Sequence, residues 1–81
     1  MERVLTSELA GHVGERVLLR GWLHRQRRLS QVAFVVLRDR AGTAQLVLEQ
    51  GVDLPAETVL EVTGLVAANE QAPGGVEVHE P

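Results

Sequence analysis

Val32-Ala33-Phe34-Val35-Val36-Leu37-Arg38-Asp39-Arg40-Ala41-Gly42-Thr43-Ala44-Gln45-Leu46-Val47-Leu48-Glu49 is the stretch on which the fold turns. It contains two strand-like runs, Val32 to Asp39 and Thr43 to Glu49. Asp39-Arg40-Ala41-Gly42 joins them, a connection short enough for a hairpin, with a glycine to supply positive φ. Side chains alternate between the two faces of a strand, so Ala33, Val35 and Leu37 share one face and Ala44, Leu46 and Leu48 share the matching face of the partner. Those six are the expected core. The opposite faces carry Phe34, Val36 and Arg38, and Thr43, Gln45 and Val47.

Working outward, Arg16 to His24 places Val17, Leu19 and Leu23 on one face and Arg20, Trp22 and His24 on the other. Gly21 between them suits a strand that bends. Arg25 to Gln31 is polar and basic and is expected to be a loop. On the far side, residues 50–57 break the pattern and a fourth strand is expected from about Thr58 to Ala67. Asn69 to Gly75 has the composition of a loop, and Val76-Glu77-Val78 opens a fifth strand. Before the first strand, Thr6 to Gly14 reads as a short helical turn capped by Thr6 or Ser7, a lead-in rather than a core helix. The expectation is an all-β, five-stranded OB-fold barrel with a short N-terminal helical turn, one domain spanning residues 1–81.

Composition narrows the function. Cysteine is absent, which rules out a disulfide framework and a thiolate metal site. Met1-Glu2-Arg3-Val4 does not resemble a signal peptide, and the longest apolar run, Val32 to Leu37, is far too short to span a membrane. A cytoplasmic location is expected. The net charge of −3 conceals a segregation: the first forty residues carry all eight arginines and sum to +4, and the remainder sums to −7 with no base. One patch of an acidic protein is therefore basic. The eight bases are all arginine, whose guanidinium binds phosphate bidentately and stacks on bases.

Phe34, turned away from the core beside Gln45, is how a sheet surface takes an unstacked base, with the ring for stacking and the amide for identity. Phe34 packed under a loop or another domain is the competing reading. Arg25-Gln26-Arg27-Arg28 lies where OB folds commonly touch oligonucleotides; a solvated basic turn is the alternative. Trp22 points outward too, but a Gly-Trp pair in a bending strand more often covers a barrel end. His12, His24 and His79 are too scattered for a metal site, and no serine has a nucleophile context, so neither catalytic residues nor a metal are expected in this chain.

Gly21-Trp22-Leu23-His24-Arg25-Gln26-Arg27-Arg28, Phe34 to Val47, Val62-Thr63-Gly64 and Ala72-Pro73-Gly74-Gly75-Val76-Glu77 together resemble the N-terminal domain of class IIb aminoacyl-tRNA synthetases, the aspartyl and asparaginyl members most closely. The resemblance implies a domain that grips the anticodon loop of tRNA. A separate catalytic domain of the same, usually dimeric, enzyme would activate aspartate with ATP and Mg, so this chain needs no cofactor of its own. It also implies that Phe34 stacks the central uridine, that Gln45 contacts an anticodon base of guanosine type, and that Arg27, with Arg25 beside it, touches the anticodon. Arg28 and Ser30-Gln31 depart from the family's Asp and Gly-containing pair. His24 and Pro73 resemble the pair in archaeal-type, non-discriminating aspartyl enzymes, which charge both aspartate and asparagine tRNAs. Those anticodons differ at the third base, so relaxed third-base reading is what the pair implies. A general single-strand binder of OB type, an asparaginyl anticodon domain and a protein-binding barrel are the alternatives.

Overall fold

The computed structural model describes residues 3–49 and 53–79. Five strands form a closed barrel: β1 (Arg16–Arg28), β2 (Ala33–Asp39), β3 (Gly42–Leu48), β4 (Val59–Ala68) and β5 (Val76–His79). The order around the barrel is β1-β2-β3-β5-β4, with β3 and β5 parallel and all other pairs antiparallel. This is the expected OB-fold.

Closure depends on two long strands that each serve two neighbours. β1 pairs with β4 from Arg16 to Trp22 and with β2 from Trp22 to Arg28. β4 pairs with β1 from Val59 to Leu65 and with β5 from Leu65 to Ala68. A glycine stands at each handover. A Cβ on Gly21 would collide with the carbonyl of Arg38, and a Cβ on Gly64 would come within 2.5 Å of the His79 carbonyl oxygen and 2.6 Å of Val78 Cγ1. The strands turn from one neighbour to the next only because the backbones can approach that closely.

The core follows the alternation. Val17, Leu19, Leu23, Val35, Leu37, Ala44, Leu46, Val66, Val76 and Val78 form one buried cluster, and Leu48 packs partly buried against it. Leu18, placed by alternation on the outer side, is also largely buried, and the N-terminal segment bridges to it at Arg3.

Three expectations need correction. The stretch from Arg25 to Arg28 is strand, not loop: its ladder with β2 runs on to Arg28 opposite Ala33, and Leu29 N–H donates to the Val32 carbonyl at 2.8 Å, leaving a connection of only four residues. Polar composition suggested a loop, but the ladder with β2 holds the stretch extended although three of its four side chains, Arg25, Arg27 and Arg28, are exposed. Second, Thr6–His12 is a 3₁₀ helix preceded by Leu5 and not capped by Thr6 or Ser7; the Leu5 N–H donates to Glu8 Oε1 at 2.8 Å. Third, this helix is part of the core, since Leu9 is buried in the main cluster. Gly14, at φ +88°, ends the helical segment as expected. In the segment from Gln50 to Glu57, positions 50–52 lie outside the described residues, and the remainder contains only a turn.

Thr6 has another task. Its N–H and hydroxyl both donate to the carboxylate of Asp39, at 2.9 and 2.8 Å, and Ala41 N–H and Gly42 N–H add bonds of 2.8 and 3.2 Å. Asp39 is 3 % exposed and clamps the helix to the β2–β3 turn. Burial by itself raises its pKa, but the bonds from Thr6, Ala41 and Gly42 outweigh this and hold it below the ordinary carboxylate value. A depressed folded-state pKa stabilises the fold at any pH above the unfolded-state value, and that stability is lost as pH falls through the folded-state value. Urea midpoints measured between pH 6 and pH 2 should therefore decline at the acid end, and Asp39→Asn should flatten that decline.

Candidate nucleic-acid interface

Along β1 the inward positions are Val17, Leu19, Gly21 and Leu23, and strict alternation would send Arg25 and Arg27 inward as well. It does not, because the ladder slips: Leu23 faces Leu37, but Arg25, not His24, faces Val36. His24 is the extra residue of a β-bulge, and such an insertion exchanges the faces of everything beyond it. Arg25 and Arg27 thereby emerge on the outer side, beside Val36 and Phe34.

The outer face is then a grid of cross-strand rows. One row runs Arg25, Val36, Gln45, Glu77, Ala67, and the next runs Arg27, Phe34, Val47, His79, Leu65. Arg25, Gln26 and Arg27 from β1, Phe34 and Val36 from β2, and Gln45 from β3 line an open cleft of about 600 Å³. Asn69 and Gln71, from the β4–β5 connection, close its far side. Phe34 is half-buried, so one part of the ring packs on the sheet while the rest faces the cleft. Arg25 and Arg27 are exposed. Among the described residues no carboxylate is paired with either; Glu61 is held by Arg20 at 2.7 Å, and Glu77 is engaged as below.

Glu77 was not singled out by sequence reasoning, yet it organises the cleft floor. Only 8 % exposed, it accepts from Asn69 Nδ2 at 2.5 Å and Gln45 Nε2 at 3.4 Å through one oxygen, and from His79 Nε2 at 2.6 Å through the other. A carboxylate offers only acceptors, so the amide groups facing it present their NH₂ ends. Gln45 is thereby oriented with its Oε1 turned from Glu77 and available to a ligand. Asn69 Oδ1 accepts from the Gln71 N–H at 3.0 Å, which braces the connection. The alternation Val76-Glu77-Val78 already marked Glu77 as outward, but only the parallel β3–β5 pairing puts it beside Gln45.

Among the other candidates, His24 and Trp22 lie outside this cleft. His24 is exposed, at the bulge, and does not line it. Pro73 opens the 3₁₀ turn Pro73–Gly75, which Ala72 joins to the Asn69–Gln71 arm. Trp22 is half-buried between Arg38 and the exposed Val59.

Residues 17–81 match the tRNA-anticodon family model, described as an OB-fold nucleic acid binding domain. The chain belongs to this family. Among similar proteins, the aspartate–tRNA(Asp/Asn) ligase of Thermus thermophilus is 49 % identical over 77 residues, covering 94 % of this chain and 18 % of its own length. The asparagine–tRNA ligase of the same organism is 40 % identical over 86 residues, covering 94 % of this chain and 20 % of its own. The chain thus spans about a fifth of the relatives it matches. In structure it resembles the asparaginyl-tRNA synthetase of Pyrococcus horikoshii complexed with asparaginyl-adenylate, with a TM-score of 0.87 and 33 % identity over 98 % of this chain and 21 % of that one. It also resembles an OBody bound to hen egg-white lysozyme, with a TM-score of 0.85 and 26 % identity over 98 % of this chain and 87 % of that one. Among the described residues no helix is long and apolar enough to cross a membrane.

Proposed function

We propose that this chain is the anticodon-binding domain of an aspartyl-tRNA synthetase that serves both aspartate and asparagine tRNAs. The observation that carries the reading is the cleft itself: an aromatic face, an oriented amide and two guanidinium groups that no carboxylate among the described residues pairs converge on one open surface. Phe34 stacks the central uridine, and Arg25 and Arg27 meet the loop's phosphates or base edges. Gln45, with Oε1 facing the ligand, suits a base with a ring N–H on its Watson–Crick edge, such as the guanine expected at the first anticodon position. Relatives named for tRNA(Asp/Asn) support the dual specificity. His24 and Pro73 influence third-base reading through the backbone, the first as the bulge that precedes Arg25, the second as the start of the turn that follows Gln71. On this reading the ATP- and Mg-dependent charging chemistry and the dimer contacts would belong to a separate catalytic domain of the parent enzyme.

Competition binding tests the reading. Stem-loops with the aspartate and asparagine anticodons should displace one another with affinities within about tenfold, a gap of about 1.4 kcal/mol, and poly-U should compete weakly. Asparagine stem-loop binding about a hundredfold weaker would end the dual-specificity reading, and equal competition by poly-U would point to a general single-strand binder. The similarity to asparaginyl enzymes supports a second reading, an asparaginyl parent; a strong preference for the asparagine stem-loop would favour it.

A further inference from the structure

The outer face of β2 carries Phe34, Val36 and Arg38 in line. Arg38 lies four residues beyond Phe34, about 13 Å at the ordinary rise of a strand, and outside the cleft. It is exposed, paired across the sheet with Trp22 on β1 and Thr43 on β3. Arg40, also exposed, follows in the β2–β3 turn. Among the described residues neither arginine is in an ion pair, and the acid between them, Asp39, is turned inward with its oxygens occupied by Thr6, Ala41 and Gly42. That clamp holds the backbone of the turn, so the two guanidinium groups project from a fixed base and not from a mobile loop. No carboxylate stands between this point and the cleft on β2, where only Val36 intervenes.

We propose that Arg38, with Arg40 beside it, is a second station on this face that binds a backbone phosphate of the RNA held in the cleft. The strand therefore runs along β2 from Phe34 towards the β2–β3 turn. This rests on the reading of the cleft as an RNA site and extends its footprint to nucleotides outside the anticodon. A phosphate contact is blind to sequence, and its loss is read in the salt dependence of binding.

The test is a titration of a labelled aspartate anticodon stem-loop with the 81-residue chain over a range of salt concentrations, using wild type, Phe34→Ala, Arg38→Gln and Arg38→Lys. Arg38→Gln should weaken binding roughly threefold, reduce the slope of log affinity against log salt by about 0.7–0.9, and do so equally for stem-loops of different anticodon. Arg38→Lys should retain most of the slope. Urea midpoints check that every variant is folded. If wild type binds, Phe34→Ala is impaired and Arg38→Gln keeps the full salt slope, the second station is wrong and the cleft reading stands. A change of base preference in Arg38→Gln would also overturn it. If wild type fails to bind, or Phe34→Ala binds as wild type, the cleft reading fails and this proposal with it.

Discussion

Gly64→Ala and Gly21→Ala should each destabilise the domain by about 3 kcal/mol or more, at the upper end of what overpacking costs, because the atoms in the way are backbone. A new methyl on Gly64 would sit 2.5 Å from the His79 carbonyl oxygen, and one on Gly21 would press into the Arg38 carbonyl. A flexible side chain yields to such a contact at little cost; a carbonyl in a ladder moves only by opening the ladder. Both glycines stand where a strand passes from one neighbour to the next, so relief means parting β4 from β5 or β1 from β2. Domains of this size have total stabilities on the order of 4–12 kcal/mol, so a loss of this size is a large share. In urea, with a slope of about 1 kcal/mol per molar, the midpoint should fall by about 3 M. Gly11→Ala is the control: nothing lies within 4 Å of its added methyl, and it should stay within about 0.5 kcal/mol of wild type. An unchanged midpoint for Gly64→Ala would mean that the barrel does not close as described.

These glycines show how far the sequence can be read. The period-two pattern around Phe34 and Gln45 placed Ala33, Val35, Leu37, Ala44 and Leu46 in the core, where they lie. It placed Phe34 outward, and the five strands followed from similar local signals. What local pattern does not carry is a relation between strands distant in sequence. The bulge at His24 is a slip of β1 against β2, and without it Arg25 and Arg27 would point into the barrel end. Nothing in Leu23-His24-Arg25 announces that slip. Glu77 meets Gln45 through a parallel pairing 32 residues apart in sequence, and Thr6 reaches Asp39 across 33. In each case the residue type is unremarkable and the partner gives it its role. The exposed end of β1 misled for a related reason, since its strand character comes from the ladder with β2 and its own polar side chains carry no sign of it.

Phe34→Ala should leave the fold intact and weaken anticodon stem-loop binding by about 1–3 kcal/mol, the usual worth of one base–aromatic stack, or roughly 5- to 150-fold. The ring lies outside the core cluster, with Arg27 and Val47 as its cross-strand neighbours, so its removal takes little from the barrel. Apolar contact alone would serve as well with leucine as with phenylalanine, whereas stacking needs the π face. Phe34→Leu separates the two: under stacking it should lose most of what alanine loses, and under packing against a protein partner or a neighbouring domain it should retain most of the binding surface. The Gln45–Glu77 pair supplies the cross-check. Glu77→Gln replaces an acceptor-only group with an amide that can also donate, which frees Gln45 to turn its NH₂ towards the ligand. Affinity for stem-loops with a first-position guanine should then fall while Phe34-dependent stacking persists. Loss of affinity in Phe34→Ala with no change of preference in Glu77→Gln would mean that the cleft holds RNA without reading it.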